Sequence, residues 1–182
     1  MAYSENPPFD RGTTYFGGGT VSATEGEHLC GKKFEFVDQT HKPGSVVTCM
    51  VVRAKAAITV ARVGVEFDTD AGEYDHLVNA ICDTAGAYGW PIDDKLVVGS
   101  TIPANDLFYL VVDGPCQMLT SATSSNEAAD LVAGGPVTMN GSGKLDGSPS
   151  ANNHVIGYCD ATSTTTNTLV IVWVTGPGQN EY

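Results

Sequence analysis

Positive charge is scarce in this sequence: nine Lys and Arg stand against 21 Asp and Glu, for a net charge of −12. A chain of that balance repels phosphate backbones and anionic lipid headgroups, so neither nucleic acid nor a membrane is expected as a partner. Long hydrophobic runs are missing too. The apolar stretch Leu169 to Val174 falls far short of the roughly 20 residues that span a bilayer. The opening MAYSENPPFDRG has no basic start followed by an apolar segment, which carries the expectation of synthesis in a cytoplasm without a secretory or transit leader. Closely paired metal ligands are also lacking: there is no C-x-x-C, and His28 with Cys30 is the only near pair among four His and five Cys. Structural zinc needs close pairs, so no metal and no cofactor are expected. Cys30, Cys49, Cys82, Cys116 and Cys159 are odd in number and widely spaced, and read as buried free thiols in a reducing compartment.

Catalytic signatures are equally sparse. Asp68, Asp70 and Glu73 begin like a calcium loop, but the sixth position is Glu73 where Gly is needed and the twelfth is Asn79 where Glu is needed. A solvated turn is the simpler reading, and Asp93-Asp94 is a similar case with less support. No G-x-S-x-G elbow occurs, and Gly141-Ser142-Gly143-Lys144 lacks both the first Gly and the final Ser or Thr of a phosphate loop. Among 21 acids, two could meet in a cleft anywhere, so their presence carries almost no information, and a hydrolase built on a β-sandwich is the least favoured class. No catalytic residue is assigned, and a non-enzyme is expected.

Strand-forming sequence dominates what remains. Phe34 to Val37, Val46 to Val52, Ile58 to Phe67, His76 to Cys82, Lys95 to Val98, Leu107 to Val112, Cys116 to Leu119, Val137 to Met139, His154 to Cys159 and Leu169 to Val174 are bounded by Gly, Pro, Asp or Lys. Many short strands separated by turns predict a mainly β chain, a β-barrel or β-sandwich body of one or two small units. Within Ile58 to Phe67 the apolar phase switches near Ala61-Arg62, which predicts a bulge or sharp bend. A possible capping box at Ser124 to Glu127, an Ala-rich stretch and then Gly134-Gly135 predict one short helix. Residues 1–33 are rich in Gly, Thr, Ser and Pro and cannot build a core, yet they carry large apolar side chains. That suits an extended arm laid across another surface. The expected division is an arm at 1–33, an N-terminal β region at 34–95, a C-terminal barrel-like region at 96–176 and a tail at 177–182.

Aromatic residues in such a chain belong mostly to cores and interfaces. Trp173, inside an apolar strand, is expected to be buried. Trp90, beside Pro91 in a Gly-rich break, is expected to be an exposed anchor. The candidate protein-interface residues are therefore Tyr3, Phe9, Tyr15, Phe16 and Trp90.

The second half resembles the small capsid decoration, or cement, proteins of tailed bacteriophages. The resemblance is carried by Asn105 to Cys116 (NDLFYLVVDGPC), where a strand meets a Gly-Pro corner, then Glu127 to Gly135 (EAADLVAGG), Pro136-Val137, the Gly141 to Gly147 hairpin, Val155-Ile156-Gly157-Tyr158 and the closing strand Leu169 to Val174. Upstream, Phe34 to Asp38, Val46 to Arg53 and Ile58 to Phe67 are similar to the front half of larger members. The resemblance implies a virion structural protein on the outer capsid surface that cements neighbouring major capsid subunits. It further implies the major capsid protein and further copies of this chain, as a homotrimer, for partners. A carbohydrate-binding or adhesive β module on a virion or cell surface is the alternative, with Trp90 and exposed tyrosines as stacking platforms.

Overall fold

The computed structural model describes residues 7–15, 26–67, 77–78, 89–121, 131–147, 154–163 and 167–175. Among the described residues, twelve strands follow one 3-10 turn (Glu27–Leu29): β1 Lys33–Val37, β2 Val46–Ala54, β3 Ile58–Thr59, β4 Gly64–Glu66, β5 Leu77–Val78, β6 Gly89–Pro91, β7 Thr101–Ile102, β8 Leu107–Leu119, β9 Pro136–Met139, β10 Leu145–Asp146, β11 Gly157–Cys159 and β12 Leu169–Val174. The fold is mainly β. Its large sheet runs β1-β2-β8-β12-β11-β9-β10, with β5 added to β2, while β3-β7 and β4-β6 form two small pairs.

The strand β8 organises the molecule. Its first half pairs with β2 and its second half with β12, so both β regions hang on one continuous element. The expected Gly-Pro corner is a bend within this strand. Thr48 faces Asp113 and Cys49 faces Val111, which leaves Val112 as the extra residue of a bulge. Gly114 follows at φ 95°, a left-handed backbone that side chains resist. Beyond the bend, Thr120 pairs with Leu145 and thereby joins β10 back to the end of β8. The strands β8, β12, β11, β9 and β10 thus curl into a closed, barrel-like ring, which removes open edges from this half.

One core fills both halves. From the β1-β2 side come Phe34, Val47, Val51 and Val52, from β8 Phe108, Leu110, Cys116 and Met118, and from the ring Val137, Met139, Leu145 and Val172. Between β3 and β4 the chain turns at Arg62, whose φ is 57°. This is the bend that the switch of apolar phase required, since Val60 and Val63 both have to face inward.

Other local expectations change. Lys95 to Val98 forms turns, with Val97 70 % exposed. The Gly-rich break before Pro91 ends in β6, where Trp90 pairs with Val65. From Leu131 onward the expected helix is absent: Leu131 pairs with Ser163, and a turn follows. Ser124 to Asp130, the start of that helix, lies outside the described residues, as do the 68–73 acidic turn and Cys82.

Candidate protein-interaction surface

The N-terminal segment 7–15 forms a strap on the body of its own chain. Tyr15 exchanges backbone hydrogen bonds with Leu107, its N–H donating at 2.9 Å and its carbonyl accepting at 3.2 Å. Phe9 stacks on Tyr109 with ring centroids 4.3 Å apart and on Tyr15 at 5.6 Å. The Tyr109 hydroxyl donates to the Phe9 carbonyl, and Phe34 and Phe36 meet the Tyr109 ring edge-on.

A buried charge network pins the centre of the strap. Arg11 donates from Nε and Nη2 to Asp93 Oδ1 at 2.9 and 2.6 Å, and from Nη2 to Asp94 Oδ1 at 2.9 Å. Both carboxylates are almost completely buried. The remaining oxygens are used as well: Asp93 Oδ2 accepts the Gly12 N–H, and Asp94 Oδ2 accepts the Gln117 N–H and lies 2.8 Å from His41 Nε2. Burial alone would lower the pKa of Arg11, but the adjoining Asp93 and Asp94 raise it above its ordinary value, so the guanidinium stays charged. Gly12 sits at φ 80°, and a Cβ there would come 2.8 Å from the Lys95 carbonyl oxygen. The sequence reading of Asp93-Asp94 as a solvated turn is thus corrected. These acids are the internal counter-ions of Arg11.

A second feature lies on the outer face of the ring. Along β12 the side chains of Val170, Val172 and Val174 point inward, which leaves Leu169, Ile171 and Trp173 on the outer side. Tyr158 is in register with Trp173 on one side and with Pro136 on the other. Pro136, Tyr158 and Trp173 therefore form a row across three strands, with Tyr158 37 % and Trp173 38 % exposed. The indole of Trp173 is held in place: Nε1 donates to Asp160 Oδ1 at 3.2 Å, and Lys42 Nζ, from the β1-β2 loop, binds Asp160 Oδ2 at 2.8 Å. The Lys42 hydrogen bond holds the Asp160 carboxyl below its usual range.

The expected interface residues are thus distributed differently. Phe9 and Tyr15 are half-buried against the chain's own core. Trp90, expected to be exposed, is 1 % exposed and packs edge-on to His154 at 5.0 Å. Tyr3 and Phe16 lie outside the described residues. Trp173, expected to be buried, is 38 % exposed: every residue of LVIVWV is apolar, which hides the phase that separates the two faces, and Tyr158 joins it through a strand pairing that no local pattern encodes. Among the described residues, no group of His, Cys, Asp and Glu side chains is arranged to hold a metal ion. Burial raises the thiol pKa values of Cys49, Cys116 and Cys159.

No family model matches the chain, and no curated protein matches it. Among the solved structures that are similar is the head fiber gp8.5 N base of bacteriophage phi29, at 14 % identity and a TM-score of 0.42, over 71 % of this chain and 94 % of that one.

Proposed function

We propose that this chain is a virion structural protein, not an enzyme, which binds the outer capsid lattice and cements neighbouring major capsid subunits. The observation that carries the proposal is the exposed row Pro136, Tyr158 and Trp173 on a closed β ring, with the Trp173 ring fixed by Asp160 and Lys42. Half-exposed aromatic side chains whose orientation is set in advance lose little freedom on binding, which is how a few residues come to dominate a protein interface. The sequence resemblance to capsid decoration proteins supports the same reading, as does the net charge of −12, which an outer position tolerates better than one facing packaged DNA.

The direct test is co-sedimentation of the purified chain with undecorated phage capsids. The double variant Tyr158→Ala, Trp173→Ala should lose at least about tenfold in occupancy while remaining folded, with a stability loss of only about 1–2 kcal/mol. Wild-type occupancy by that variant would assign attachment to another surface, and failure of the wild-type chain to sediment would sink the capsid reading. The alternative, sugar stacking, now falls on Trp173 and Tyr158. Glycan-array binding lost on Trp173→Ala would favour it.

A further inference from the structure

The seat of the strap is a binding site for an extended, Arg-bearing peptide. It offers one backbone pairing position at Leu107, an aromatic face at Tyr109 and two buried carboxylates at Asp93 and Asp94. Its resident ligand is the chain's own segment 7–15, Pro-Pro-Phe-Asp-Arg-Gly-Thr-Thr-Tyr. We infer that this seat also accepts the same segment from a second copy, so that exchanged straps tie neighbouring copies together.

Chain length permits the exchange. The strap pairs with β8, and the Gly31-Lys32 segment pairs with Val51 on the far side of β2. These two attachments are three strand spacings apart, roughly 14 Å. The connector between them includes residues 16–25, which alone can span about 33–36 Å when extended, so its length does not force the strap onto its own body. Every strap-to-body contact has an identical counterpart when the strap comes from another copy. The balance then rests on effective concentration and not on new contacts. Dilute chains keep their own straps, while copies held side by side can trade them. The setting in which copies meet rests on the assembly role proposed above, but the test below contains no capsid, so the two fail separately.

The probe is a fluorescently labelled nonapeptide of residues 7–15, titrated into the full-length chain. Arg11→Ala weakens the resident strap but leaves Asp93 and Asp94 without their cation. Phe9→Ala weakens it without stranding a charge. Both variants should bind the peptide at least tenfold more tightly than the wild-type chain, whose seat is filled, and a peptide carrying Ala in place of Arg should bind at least tenfold more weakly. Binding to none of the chains, or binding indifferent to the arginine, would overturn the site. For the exchange itself, tagged Phe9→Ala chain mixed at high concentration with untagged wild-type chain should retain the latter on an affinity column, and excess free peptide should release it. Peptide binding without such retention would overturn exchange and leave a seat filled only by its own chain.

Discussion

Trp90 and Trp173 carry the same side chain in opposite surroundings, and their substitution should separate stability from surface function. Trp90 is enclosed beside Val65 and His154. Replacing it with alanine should cost about 3–5 kcal/mol, read as a lowered midpoint in denaturant titration. Trp173→Ala removes a half-exposed ring and one hydrogen bond to Asp160, and should cost about 1 kcal/mol. Equal losses would mean that the two environments have been misjudged. Two other residues contribute to the response to acid, beside Asp160. Burial holds His154 below its ordinary pKa, so the unfolded chain takes up that proton more readily, and the contribution of His154 is complete above about pH 6.5 and is lost as the pH falls through the folded value. Burial would raise the pKa of Asp38, but backbone N–H groups of Lys42, Thr40 and His41 donate to its carboxylate and their effect prevails. Its contribution is complete above about pH 3.9 and is lost below that. Unfolding midpoints measured against pH should therefore fall in two stages. His154→Gln should flatten the upper stage only, and Asp38→Asn the lower.

At the scale of elements, the bend in β8 is the joint on which the fold turns. Gly114 combines a φ of 95° with an approach in which an added Cβ would stand 2.3 Å from the Val46 carbonyl oxygen. Gly114→Ala should cost at least about 1–3 kcal/mol and loosen β2 and β12 together, visible as faster amide exchange in both strands. Exchange confined to one of them would show that β8 is not shared in the way its register implies. The strands themselves were largely legible: Phe34 to Val37, Val46 to Val52, Val137 to Met139 and Leu169 to Val174 all lie in strands, because β-branched and aromatic runs between turn residues have few alternatives. The bend near Ala61-Arg62 was legible from phase alone. The Gly-Pro pair misled because Gly and Pro mark chain reversals more often than bends inside a paired strand. From Leu131 onward the expected helix gives way to a pairing with Ser163, thirty-two residues away, which no local pattern encodes, while Ser124 to Asp130 lie outside the described residues.

Across the whole molecule, the mainly β class followed from composition and turn spacing, while the surface did not. The outward phase of Trp173 depends on β11 and β8 lying on either side of β12, and the burial of Asp93 and Asp94 depends on a segment more than eighty residues earlier folding over them. Neither partner is visible from its neighbours in sequence. Within residues 1–33, expected from sequence to be an arm without a core of its own, residues 7–15 complete the body's own surface. Removing residues 2–20 would thus strip Arg11 from two buried carboxylates, so lost capsid attachment after that deletion would report on stability as much as on contact.

The same strap has a consequence for biosynthesis. It leaves the ribosome well before its anchors, with Asp93 82 residues after Arg11 and Tyr109 100 residues after Phe9. At the usual pace of translation, about 5–20 residues per second, the strap waits roughly 5–20 s before its own seat exists. On a crowded polysome, finished bodies of neighbouring chains stand within reach during that interval. The pairing of straps with seats is then decided partly by the order of synthesis, before any assembled particle is present.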